Sequence, residues 1–296
     1  MALAKHLAWP GAGSPADVIP SDLFLDTSAA AAISPLLTMR TPIHPLWGIV
    51  EVAGFTIFVF AILWILGPVI ATRQEAGFGF WLLLLAGAVY VPWVSPVVLQ
   101  HEPPEWRGLG GPAQDGSRPG SFRNAWRAYA VFTAGAAVLL VVYVAWLNPA
   151  RLSAVNWKAV LVRFVEYVGS GVAQAAIFQG FIANRIRAAI PLGAGRRSVR
   201  LHRLSVALAT TVLFGLYHWP NLPLIAFVLP AGFCWTWIFL RRPNLLLLGL
   251  SHAILGTILN RVVLLPMRIG PFYAHPDLYL WRTVIPGLKY MIGSLY

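Results

Sequence analysis

Charge is what this chain has little of. Only 11% of its 296 residues are Asp, Glu, Lys or Arg, while 58% are hydrophobic. A soluble domain carries about 25% charged residues. So little polar surface cannot cover so much apolar surface in water, and the composition excludes an ordinary soluble globule: lipid must be the solvent. Acids are scarcest, 10 against 22 Lys and Arg, for a net charge of +12. In a soluble protein that excess would raise nucleic acid as a partner. Retention of Lys and Arg in cytoplasmic loops explains it here, so the expected partner is membrane lipid, with no nucleic acid. A single cysteine, Cys234, excludes an intramolecular disulfide and any cysteine-rich metal site. In FVLPAGFCWTW it reads as a small buried hydrophobe. The N-terminal MALAKHLAWPGAGSP lacks the continuous apolar run of a cleavable signal peptide, so insertion is expected to rely on later helices.

What the chain has instead is long apolar runs. Spans are expected at about Trp47–Ala71, Phe78–Leu99, Ala128–Leu147, Phe164–Ala183, Leu204–His218, Leu222–Leu240 and Leu245–Leu265, each near the ~20 residues that cross the hydrocarbon. The fold class is therefore all-α, a polytopic bundle of seven or eight membrane helices. Pro92 and Pro96 should kink the second span. Residues 1–45 read as an N-terminal arm and 46–150 as three helices with a Gly/Pro-rich loop at 100–127. Residues 151–265 read as a four-helix core, and 266–296 as a tail whose Phe272, Tyr273, Tyr279, Trp281, Tyr290 and Tyr296 suit an interfacial anchor.

Loop charge sets the expected orientation. Arg185, Arg187, Arg196, Arg197, Arg200 and Arg203 crowd the connection between the fourth and fifth spans without an acid, and Arg241 and Arg242 follow the sixth. Both connections should be cytoplasmic, which places the N-terminus inside.

Polar side chains within the spans carry the functional signal, because they are costly in lipid and usually face the bundle interior. At ~1.5 Å per residue, Gln174 lies roughly 16 Å from Arg185, His218 roughly 22 Å from Arg203 and His252 roughly 15 Å from Arg242. Three helices thus bring polar groups toward one depth, either to hydrogen-bond the bundle together or to form a site. Pro220 and Pro223 weigh against the shared depth, since they can end the fifth helix and leave His218 near the outer interface. Small residues from Gly169 to Ala176 allow a close helix approach, and the face bearing Gly169 and Ala173 is expected to be the buried one.

Around these residues run Gln174-Ala175-Ala176-Ile177-Phe178-Gln179-Gly180, then Phe214-Gly215-Leu216-Tyr217-His218, then His252-Ala253-Ile254-Leu255-Gly256. Over about Val155–Leu265 the order and spacing resemble the CPBP family of CAAX-protease and bacteriocin-processing intramembrane proteases, also called the ABI family. Its members carry Glu-Glu-x-x-Phe-Arg-Gly, Phe-x-x-x-His and His-x-x-x-Asn on successive helices. Phe178, Gly180, Phe214, His218 and His252 match. Gln174 and Ala175 stand where the family has its glutamates, Gln179 where it has arginine, and Gly256 where it has asparagine. The resemblance implies an endopeptidase acting on membrane-embedded or CAAX-like peptide termini, with no cofactor and no metal. The first family glutamate would activate water, helped by the histidines and asparagine.

Gln174 is nearly isosteric with that glutamate and can hold a water, but it cannot take a proton near neutral pH. Two functions stay open: a working endopeptidase with another base, Glu166 being the first to consider, and a pseudoprotease that binds peptides or membrane partners without cutting them. Glu166 pairs more naturally with Arg163. Asn260, one turn beyond Gly256, is a candidate for the missing asparagine. Ser251 adjoins His252 but points to another helix face, and a zinc site from His218 and His252 lacks an evident third ligand.

The arginine-rich connection generates the first prediction. With Cys234→Ala as background, a cysteine placed at Ser198 should be labelled by impermeant maleimide only from the cytoplasmic side; labelling of intact cells from outside would reverse the orientation.

Overall fold

The computed structural model describes residues 44–73, 77–102, 106–109, 120–191 and 196–275. The N-terminal arm up to residue 43, most of the loop between the second and third spans, and the tail from residue 276 lie outside the described residues. Seven long helices follow in order: α1 (Pro45–Arg73), α2 (Phe78–Leu99), α3 (Phe122–Leu147), α4 (Trp157–Ala189), α5 (Arg196–Leu216), α6 (Leu222–Phe239) and α7 (Leu245–Arg261). The first six are long and apolar enough to cross a membrane, and α7 is a shorter apolar helix. Among the described residues there is no strand. Ile57, Phe78, Val131, Leu139, Trp146, Val165 and Val212 are widely exposed. In water such a surface would aggregate; around a membrane bundle it is the face that lipid covers. The protein is an integral membrane helical bundle.

Several boundaries differ from expectation, each for a local reason. Residues 122–127 were expected in a loop but form the first turns of α3, and Arg185 and Arg187 lie in the last turns of α4 rather than in a connection. The last turn expected of the seventh span is not helical, because α7 ends at Arg261 and Leu264 takes the left-handed conformation (φ 65°). In α2 the ten residues Tyr90–Leu99 wind as wide π turns around Pro92 and Pro96. Proline removes a donor from the helical ladder, and a wider turn absorbs the gap. Similar turns occur at Ala61–Leu66 in α1 and Ala176–Ile182 in α4.

The centre of the bundle is α7, with eleven buried residues between Leu245 and Leu259. It is apolar nearly all round because neighbours cover nearly all of it. Its closest partner is α4. A methyl group built on Gly171 would lie 2.5 Å from the Gly249 carbonyl oxygen, and one on Gly249 would lie 2.5 Å from Val172 Cγ2. The expected close approach is therefore present, but on the other face: Gly171 and Ala175 are buried, whereas Gly169 and Ala173 are exposed and nothing lies within 4 Å of a Cβ at Gly169. Two small-residue stripes, both spaced by four, run along α4. Only the one facing Gly249 and Ala253 has a partner that is itself small.

A second polar centre ties the first two helices to α4. Arg185 is fully buried and donates to Glu51 of α1, to Glu102 just after α2, and to Ser95. Tyr90 and Ser95 also donate to Glu51, each at 2.6 Å. Burial pushes the Glu102 carboxyl above its ordinary pKa, and the Arg185 charge pulls the other way. Beside this cluster the Arg187 guanidinium stacks over Trp106, 3.2 Å from the ring centroid.

The crossing predicts a reversal of the sequence expectation. Gly171→Leu should cost the fold about 1–3 kcal/mol or more by overpacking, read as a lower Tm or lost yield in detergent. Gly169→Leu should leave both near wild type.

Candidate active site

Gln174, His218 and His252 line one cavity of about 280 Å3. Gln174 comes from the middle of α4, one residue before the buried Ala175, and His252 from α7, one residue before the buried Ala253. The small-residue crossing of these two helices thus also sets the site. His218 arrives differently. Helix α5 ends at Leu216, ahead of Pro220, so the histidine sits in the following turn. It is held there because its Nδ1 meets the Phe214 carbonyl oxygen at 2.6 Å. A carbonyl can only accept, so Nδ1 carries the proton and the neutral ring keeps its lone pair on Nε2.

His252 is held by stacking. Its ring lies parallel to the Trp235 indole, with centroids 4.9 Å apart and 8° between planes. The indole Nε1–H donates to Ser251 Oγ at 2.8 Å, Ser251 Oγ lies 2.6 Å from Thr133 Oγ1, and Thr133 Oγ1 lies 2.6 Å from the Tyr129 carbonyl. One proton ordering satisfies all four groups: indole to Ser251, Ser251 to Thr133, Thr133 to the carbonyl. Ser251 therefore faces α3 and α6, away from the cavity its neighbour lines, and its work is to fix the plane against which His252 stacks.

The remaining motif residues pack around this centre. Phe178 meets Phe214 edge-on at 4.6 Å and Tyr217 at 5.1 Å, and Phe214 in turn contacts the rings of His218 at 4.8 Å and His252 at 6.1 Å. These two phenylalanines form the floor that spaces the histidines. Gln179 is buried and donates to Thr236 at 3.2 Å. At Gly256 a Cβ would meet only His252 Cδ2, at 3.8 Å, so that position adjoins the imidazole with room for a side chain. Asn260 accepts from Arg163 Nε at 3.2 Å and is not among the cavity residues. Glu166 pairs with Arg163 at 2.7 Å, as its spacing suggested. The other two described glutamates, Glu51 and Glu102, are held by Arg185. No described carboxylate lines the cavity.

Much of the cavity wall had no sequence signal. Phe55, Val59 and Leu63 of α1 supply one side, Tyr167 and Ile177 of α4 extend another, and Met267 and Ile269 come from beyond α7. The last two correct the reading of the tail as an interfacial anchor: over residues 266–275 it folds onto the bundle, with Phe272 buried. Tyr279, Trp281, Tyr290 and Tyr296 lie outside the described residues.

With the geometry described, comparison with known proteins adds one finding. Residues 156–258 match the family model described as type II CAAX prenyl endopeptidase Rce1-like. No curated protein and no solved structure matches the chain. The matched segment runs from the start of α4 to the last turn of α7, and so carries Gln174, His218 and His252 together.

The Phe214 hydrogen bond makes the tautomer testable. In nitrogen-15 spectra of ring-labelled protein at neutral pH, His218 should show a protonated Nδ1 and an unprotonated Nε2, a pattern lost in no other histidine when His218 is changed to Asn. The opposite tautomer would mean that the bond to Phe214 is not made.

Proposed function

We propose that this chain, similar to CPBP-family intramembrane proteases across its last four helices, holds apolar peptide ends from the membrane in the Gln174, His218 and His252 cavity without appreciably hydrolysing them. The observation that carries this reading is that three polar side chains from separate elements share one cavity, while every described carboxylate is bound to an arginine elsewhere. Gln174 offers an amide donor and a carbonyl acceptor, enough to orient a water or a substrate carbonyl but not to deprotonate water. His252, fixed in plane by Trp235, is suited to donate to a developing oxyanion. The partners are thus membrane lipid and the peptide or membrane-protein segments that reach the cavity from it. The accompanying topology has the N-terminus and the connection from α4 to α5 in the cytoplasm of a bacterial cell.

A second reading is favoured by one observation, the Nδ1 contact of His218. It leaves Nε2 able to accept a proton, so His218 can serve as the base that residue 174 no longer provides.

A membrane-anchored fluorogenic peptide separates the two. Purified wild type should cleave at background, and Gln174→Glu should raise cleavage at least about tenfold, toward the 10²–10⁴ that a positioned base supplies. Adding Gly256→Asn to Gln174→Glu should raise it further, since Gly256 has the room. Wild-type cleavage abolished by His218→Ala would establish the second reading instead.

A further inference from the structure

Residues 263–269, after α7, are not helical, and one 3-10 turn follows at Gly270–Tyr273. This segment crosses the bundle as a strap fastened at three points. At its start, Arg151 donates to the carbonyls of Arg261 at 3.0 Å and Val262 at 3.4 Å. In its middle, the fully buried Asn221 donates to the carbonyls of Pro266 at 2.6 Å and Arg268 at 3.0 Å. At its end, Gly270 N donates to the Trp219 carbonyl at 2.8 Å, and Phe272 is buried against Ile62, Ile70, Ala71 and Phe80. A Cβ at Gly67 would come within 3.0 Å of the Phe272 ring, so α1 is shaped to receive it.

Between the second and third fastenings, Met267 and Ile269 join Leu63, Leu224 and His218 in the cavity lining. Asn221 is also the N-cap of α6, accepting from Leu224 N at 3.1 Å. One side chain therefore holds the start of α6, three residues after His218, and the strap opposite. The two apolar side chains are registered to the histidine by a hydrogen-bonded framework. A polar buried residue spent on such a framework fixes geometry, because leaving any of its groups unpaired is costly.

We propose that Met267 and Ile269 are specificity-determining residues: they set the size of the apolar side chain that a bound peptide can place beside His218. This rests on the peptide-binding reading above and adds residues outside the matched family segment, which ends at 258. At about 280 Å3 the cavity is at the lower edge of the roughly 300–1,000 Å3 typical of small-molecule sites. Part of it must hold peptide backbone, so the space left for a side chain beside His218 is set by how much of it Met267 and Ile269 fill. Truncating either strap residue enlarges that space directly.

The test uses the full-length protein in detergent and a pair of fluorescent, acylated apolar peptides that differ only by Leu or Trp at one central position. Their ester-free N-methyl amide backbone resists cleavage, so that affinity is read apart from hydrolysis. Wild type should bind the Leu peptide at least about tenfold more tightly, since misfit of even a methylene in an apolar pocket is worth 10-fold or more. Met267→Ala and Ile269→Ala should narrow the ratio chiefly by tighter binding of the Trp peptide. Leu264→Ala, an exposed position on the same segment, should leave it unchanged. Met267→Leu, which keeps the bulk, should retain discrimination even if Met267→Ala unfolds. The proposal is overturned if wild type does not discriminate, if neither Ala change narrows the ratio, or if Leu264→Ala narrows it equally. Discrimination without hydrolysis of a cleavable version leaves the proposal standing and decides only against catalysis.

Discussion

The crossing of α4 and α7 is the contact on which the rest of the bundle is built. Lipid offers apolar helices no reason to prefer one another over its own tails, so association depends on close packing and on shared polar groups. Gly171 and Gly249 permit the approach, and three residues further along each helix stand Gln174 and His252. The same geometry that joins the helices therefore brings together two polar side chains that lipid would penalise. Removing the small residues would separate the site before it exposed it.

Around that crossing the cavity is lined by uncharged polar groups, without an acid, lysine or arginine. In the family that the chain resembles, the positions of Ala175 and Gln179 are Glu and Arg, four residues apart and so on one helix face. Deleting one member of such a buried pair would strand the other at a cost of several kcal/mol, whereas replacing both is far milder. Ala175 is now fully buried and Gln179 satisfied by Thr236. At position 174 the amide keeps the shape of the acid without its basicity. The cavity at the crossing is thus polar and yet has no described carboxylate in its lining.

The apolar runs were legible because each is about as long as a bilayer is thick, and the convergence of Gln174, His218 and His252 was legible from their depth and motif spacing. The face of α4 was not. Its small residues form two stripes of equal spacing, and only the position of Gly249 on another helix chooses between 171/175 and 169/173. Arg185 was counted among loop arginines because its neighbours are basic; its carboxylate partners lie 134 and 83 residues away, beyond any local pattern. The strap left no periodic trace at all, since two of its fastenings are backbone carbonyls met by side chains of Arg151 and Asn221 and the third begins with a backbone N–H on the Trp219 carbonyl.

The pairing of Arg185 with Glu51 and Glu102 has a consequence for biogenesis. Chains emerge from the ribosome N-terminus first, so α1 enters the membrane carrying a carboxylate, and α2 arrives with another, well before their common cation has been synthesised. Until then neither acid has its final counter-ion, and α1 and α2 cannot settle against anything equivalent. Arrival of residue 185 at the end of α4 supplies the cation that both share and docks the first two helices onto α4. Nascent chains truncated before that point should therefore be clients for membrane quality control, and the arginine acts as the latch that joins the first half of the bundle before α7 completes it.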